Sequence, residues 1–249
     1  MRAAALLVLL LVPHLAAAQP DPVARVDSVF AAWRAPGSPG CAVGVAENGR
    51  TVLRRAYGLA ELEHQIPNTP ETVFEAGSVS KQFTAAAIVL LARQGKLSLD
   101  DDVRRHIPEV PDYGTTITIR HLLNHTSGLR DWGSVQDIAG WPRGTRIHTH
   151  AHVLDIVSRQ RALNFTPGAE YLYSNTGYNL LAILAERVSG TSFAELSRRE
   201  IFEPLGWRTR SGATTSAASS PAARRRTTTG RARTTWRCRS RTCTATAAC

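Results

Sequence analysis

Two short stretches carry side chains whose types and spacing suit acyl transfer. In Glu75-Ala76-Gly77-Ser78-Val79-Ser80-Lys81 a serine stands three residues before one of only two lysines, in a chain with 28 arginines. At a helix start, positions i and i+3 share a face, so the Ser78 hydroxyl and Lys81 amine fall within hydrogen-bond reach. The free N–H groups and dipole there favour the negative charge that develops on an attacked carbonyl. A serine hydroxyl attacks only when a neighbour takes its proton. Lysine can do so because burial lowers its pKa from about 10.4, whereas arginine stays protonated above about 12. In the second stretch, Tyr171-Leu172-Tyr173-Ser174-Asn175, an extended backbone points Tyr173 and Asn175 the same way. A phenol and an amide then enter one cleft, and a tyrosine beside an ammonium can be held as phenolate and act as general base. Taken singly, each stretch has a plainer reading. Serine is a frequent N-cap, and Tyr173-Ser174-Asn175 fits a packed tyrosine before an asparagine cap.

A third stretch, Leu122-Leu123-Asn124-His125-Thr126-Ser127-Gly128-Leu129, lies between these two. The three motifs in this order closely resemble the serine β-lactamase and penicillin-binding-protein superfamily, nearest its class C β-lactamase, esterase and D-amino-acid peptidase branch. The resemblance covers about residues 22–206. It implies that Ser78 is the acylated nucleophile, that Lys81 shares in its activation, and that Tyr173 is the acid/base group. It further implies that Asn175 binds the substrate amide or the Lys81 ammonium, and that the Ser78 N–H gives half of an oxyanion hole. The 124–129 loop is expected to be structural, with Gly128 meeting a backbone demand. One departure stands out: the superfamily's Lys-Thr-Gly or His-x-Gly motif, on a C-terminal strand, does not occur after Asn175. The implied fold is α+β and β-lactamase/transpeptidase-like, an antiparallel sheet flanked by helices plus a helical subdomain, with its C-terminal strands missing.

The elements that must hold these residues read as follows. Residues 22–33 show helical apolar spacing, and the runs around Val43 and Leu53 flank Asn48-Gly49, a strong hairpin signal. Helices are expected over 79–94 before Gly95, over 119–124, over 151–161, and over 175–188 before Gly190. No strong strand follows before the composition changes after Gly206. His121 and His125, and also His148, His150 and His152, have spacings that metal ligands use. The first pair lacks an intervening Glu and the second group reads as a polar loop, so no metal or other cofactor is expected.

Composition bounds the rest. Residues 3–12 form an apolar run after Arg2, followed by Ala16-Ala17-Ala18, the pattern of a cleavable export signal over 1–18. The run is too short to span a bilayer, so a periplasmic or secreted protein without stable membrane insertion is expected. The net charge of +10 suggests a nucleic-acid partner until it is located. Residues 207–249 hold ten arginines and no acid, leaving the remainder with 20 basic and 20 acidic side chains. That segment also lacks Leu, Ile, Val, Met, Phe and Tyr, and holds three of the four cysteines. Such a segment cannot offset its ordering entropy, so disorder is expected, and a coding frame shifted after Gly206 explains it better than a basic arm. No nucleic-acid partner is therefore expected. The function the resemblance implies is a serine hydrolase acting through an acyl-serine on a β-lactam, an ester or a D-amino-acid peptide, expected as a monomer and, with the chain as given, inactive. The alternative is a non-catalytic wall-peptide binder or penicillin sensor of the same fold.

Overall fold

Asn48 and Gly49 take the left-handed backbone, φ 50° and 75°, that a tight two-residue hairpin turn demands. Around them β1 (Cys41–Glu47) pairs antiparallel with β2 (Arg50–Tyr57), in a register running from Cys41 opposite Tyr57 to Glu47 opposite Arg50. The computed structural model describes residues 21–141, 147–207 and 243–248. The expected export signal over 1–18 and most of the arginine-rich segment lie outside them. The chain divides into two units, Met1–Phe74 with Ala232–Cys249, and Glu75–Arg231.

In the first unit α1 (Pro22–Val29) starts at Asp21, whose side chain accepts from the Val23 N–H, with Pro22 in the first turn. It is shorter than the expected 22–33, because a 3-10 turn takes over at Ala31–Arg34. That break lays Phe30 flat on Tyr57, with ring centroids 5.0 Å apart. The Tyr57 hydroxyl donates to Asp27 at 2.7 Å, and burial together with this carboxylate pushes the phenol up to about 12. Phe30, Cys41, Val43 and Tyr57 form this unit's core, and Cys41 is fully buried and disulfide-bonded. β3 (Leu59–Glu61) and β4 (Ile66–Pro67) make a separate small antiparallel pair. The other edge of β1 is paired as well. There β5 (Cys243–Ala248) pairs antiparallel, giving a three-stranded sheet in the order β2-β1-β5. The end of the arginine-rich segment is thus a strand, because ladder hydrogen bonds come from backbone groups and need no apolar side chain.

The second unit is helical. After a 3-10 turn at Gly77–Ser80 come α2 (Lys81–Arg93), α3 (Ile119–Leu123), α4 (Trp132–Ile138), α5 (His150–Ser158), α6 (Asn175–Ser189) and α7 (Phe193–Ser197). A π-helical turn at Arg198–Phe202 extends α7. The core centres on α6, whose Leu180, Leu181 and Leu184 are wholly buried among Ile88 and Leu91 of α2, Ile119 and Leu122 of α3, and Phe193 of α7. Burying a side chain of this size contributes about 1.5–3 kcal/mol, so α6 is the axle on which the unit turns. It ends at Gly190 in the left-handed conformation, as the sequence predicts. Trp207, just past the Gly206 boundary expected from composition, packs on Phe202 and Phe83.

Candidate active site

The four residues that the sequence selects for chemistry come together in the helical unit. Ser78 Oγ lies 2.6 Å from Tyr173 Oη and accepts from Lys81 Nζ at 3.2 Å. Lys81 Nζ also donates to Asn175 Oδ1 at 2.9 Å, and stands 4.9 Å from the Tyr173 ring centroid and 5.6 Å from that of Tyr178. A serine hydroxyl thus sits between a phenol oxygen and an amine, the two groups able to accept or hold its proton. Ser78 is exposed and Tyr173 is 41% exposed, so a molecule from solvent can reach both.

Local structure differs from the sequence expectation in two details. Ser78 lies in the 3-10 turn, one turn ahead of α2, and not within its first turn. The tighter 3-10 winding still brings Lys81 over Ser78, since i and i+3 eclipse in that geometry. Asn175 is the first residue of α6 and not its cap. Ser174 is the extended N-cap residue and makes no side-chain cap hydrogen bond, which leaves the Asn175 amide to face Lys81.

The loop after α3 holds Tyr173 in place. Its His125 has φ 58°, its carbonyl accepts from the Leu172 N–H at 3.0 Å, and its Nδ1 accepts from the Ser174 N–H at 3.2 Å. Both bonds straddle Tyr173. The imidazole packs against the Tyr173 and Tyr178 rings, with centroids 4.5 and 5.1 Å away. Burial, reinforced by the Lys81 charge, holds its pKa below the ordinary value. The Tyr178 hydroxyl donates to the Leu123 carbonyl at 3.1 Å, and burial raises its pKa. Gly128 adopts φ 72°, and a Cβ there would lie 2.2 Å from the Phe165 carbonyl oxygen. The backbone demand expected at this glycine is therefore real, set by a crossing strand of chain: Asn164 N–H donates to Gly128 O, and Gly168 N–H to Thr126 O, each at 2.8 Å.

Two residues of this site have no chemical assignment in the sequence reading. His125 is named there as part of the third motif and as one of a zinc-spaced pair, and Asp131 not at all. Asp131 Oδ2 accepts from the Asn175 backbone N–H at 2.6 Å and from its side-chain Nδ2 at 2.9 Å. The signal for Asp131 is an acid directly ahead of a short helix, where it caps α4. The histidines have local jobs as well. His121 and His152 complete capping boxes with Thr118 and Thr149, and His150 pairs with Glu186 at 3.5 Å. Among the described residues no cluster of three His, Cys, Asp or Glu side chains could hold a metal ion.

The chain resembles several known proteins. The chain is 39% identical over 162 residues to penicillin-binding protein 4* of Bacillus subtilis (strain 168), covering 65% of this chain and 35% of that protein. It is 38% identical over 173 residues to a D-aminopeptidase of Brucella anthropi, covering 69% and 32%. The chain thus spans about a third of the length of these relatives. An octameric penicillin-binding protein homologue from Pyrococcus abyssi superposes with a TM-score of 0.67 at 31% identity, covering 76% of this chain and 44% of that one. The fold is accordingly β-lactamase/transpeptidase-like. A family model described as Beta-lactamase matches residues 26–243, beyond the 22–206 span that the motifs suggest, and the chain belongs to that family.

Proposed function

We propose that the site performs serine acyl transfer. Ser78 Oγ attacks a carbonyl carbon, its proton passes to Tyr173 Oη, and the departing nitrogen or oxygen takes that proton as the carbonyl's bond to it breaks. Water then releases the acyl group from Ser78 by the same steps in reverse order, with Tyr173 again accepting the proton. Lys81 fixes Ser78 Oγ by its N–H and sets its amine over the Tyr173 ring. Asn175 accepts from Lys81 through Oδ1. The observation that carries the reading is the 2.6 Å contact of Ser78 Oγ with Tyr173 Oη, with Lys81 Nζ 3.2 Å from the same oxygen.

The substrate class is a small β-lactam, an ester or a D-amino-acid peptide, and relatives named penicillin-binding protein and D-aminopeptidase support that range. The chain acts after export, in the periplasm or outside the cell, as a monomer without cofactor or nucleic acid. Turnover is poor in this chain, because the Lys-Thr-Gly or His-x-Gly strand that would give the second oxyanion donor is missing from the sequence.

The test is labelling of the purified chain with a fluorophosphonate or fluorescent penicillin, read by intact mass. A single adduct on Ser78, absent in Ser78→Ala, is expected, with little turnover of a chromogenic ester. Absence of any adduct from folded chain would favour the wall-peptide binder instead. Rapid ester turnover would overturn the claim of poor activity.

A further inference from the structure

Four N–H donors converge on one carboxylate beside the nucleophile. Asp131 Oδ1 accepts from Gly133 N at 3.0 Å and Ser134 N at 3.2 Å, which caps α4. Asp131 Oδ2 accepts from Asn175 N at 2.6 Å and Asn175 Nδ2 at 2.9 Å. A carboxylate accepts at both oxygens and donates at neither, so it suits these four donors.

The consequence falls on Asn175. An amide has two nearly isosteric orientations, and its neighbours decide between them. With Nδ2 bound to Asp131, Oδ1 must face Lys81 Nζ, which it meets at 2.9 Å. Turning the amide over would set Oδ1 against the Asp131 carboxylate and Nδ2 against the Lys81 N–H groups, two repulsive contacts in place of two attractive ones. The Asn175 backbone N–H, bound to the same Oδ2, fixes the residue that carries the amide.

We propose that Asp131 is a positioning residue for the acyl-serine site: it locks the orientation of the Asn175 amide so that Lys81 is held by an acceptor and kept over Ser78. The orientation stands on geometry alone, whereas its effect on rate rests on the function proposed above.

The experiment uses the full chain as wild type, Asp131→Asn, Asp131→Ala and Ser192→Ala, the last removing the side-chain cap of α7 as a stability control. In Asp131→Asn one acceptor becomes a donor. Either the α4 cap is lost or the Asn175 amide is driven over. The first readout is NMR of the Asn175 side-chain amide protons. They are expected to be protected from exchange in wild type and in Ser192→Ala, and to lose that protection in Asp131→Ala. Equal protection in Asp131→Ala and wild type would overturn the proposal whether or not the chain acylates. The second readout is the rate of Ser78 labelling against pH. A fall of about 10- to 100-fold with a displaced pH profile is expected for Asp131→Asn, and no change for Ser192→Ala. Identical rates and profiles in wild type and Asp131→Asn would also overturn it. Should wild type not label at all, the acyl-serine reading fails and the NMR arm alone decides the orientation.

Discussion

At the residue scale the rare lysine is the informative choice. Lys81 Nζ divides its N–H groups between Ser78 Oγ and Asn175 Oδ1, which a compact ammonium with three donors can do. Lys81→Arg keeps a cation but replaces a compact three-donor head with a longer planar fork that cannot turn one N–H to Ser78 Oγ and another to Asn175 Oδ1 from the same point. It is expected to slow Ser78 labelling at least about 100-fold, with thermal unfolding nearly unchanged, as followed by intact mass and calorimetry. Acid should also weaken the helical unit. Burial depresses the pKa of both His121 and His125, aided by Arg120 beside the first and Lys81 beside the second, while Asp100 opposes the shift at His121. Below their ordinary value of 6.5 the unfolded chain takes up protons that the folded chain refuses. Stability from this source is therefore complete above about pH 6.5 and declines as pH falls towards the lower folded values. The unfolding midpoint is expected to drop between pH 7.5 and 5, and His125→Asn to flatten that drop; a midpoint independent of pH would contradict it. Ser78, Lys81, Tyr173 and Asn175 can be picked out in the sequence because each pair is close along the chain. His125 and Asp131 cannot, because what they do lies across 49 and 44 positions.

At the element scale the loop after α3 acts as a splint. Its carbonyls and the His125 ring bind both sides of Tyr173, and Gly128 lets residues 164–168 cross against it. Gly128→Ala must place a Cβ on the Phe165 carbonyl in a left-handed backbone. It is expected to cost about 2 kcal/mol or more in urea unfolding and to slow labelling by loosening Tyr173. Leu180→Ala, at the centre of α6, is expected to cost about 2–5 kcal/mol while leaving the labelling rate of the folded fraction close to wild type. The hairpin and the helices α2, α3, α5 and α6 are readable because turn residues, apolar period and, for α2 and α6, a closing glycine agree. By contrast α4 and α7 are seven and five residues long. So short a helix shows at most two turns of apolar spacing, and its existence rests on a cap and on what it packs against.

At the scale of the whole molecule, the arginine-rich segment decides what kind of protein this is. We propose that its composition reflects a shifted coding frame. Reading the gene around the codons for Gly206 and Trp207 is expected to uncover a second frame with apolar strands and a Lys-Thr-Gly or His-x-Gly triplet. A clean single frame with no alternative there would sink the proposal. Restoring the second frame is expected to raise chromogenic ester turnover well above that of the present chain. The family was readable early because its motifs need only local sequence, whereas β5 was not, since nothing in Cys243-Thr244-Ala245-Thr246-Ala247-Ala248 looks like a buried strand. That strand matters for what it covers. A ladder of backbone bonds from Ala42 opposite Ala248 to Glu47 opposite Cys243 closes an edge of β1 that would otherwise stand open as a template. Any extended peptide, including the same strand of a neighbouring chain, can use such a template. Colloidal behaviour, more than catalysis, is then what these six residues guard: a chain ending at residue 242 is expected to form concentration-dependent aggregates by light scattering where the full chain does not.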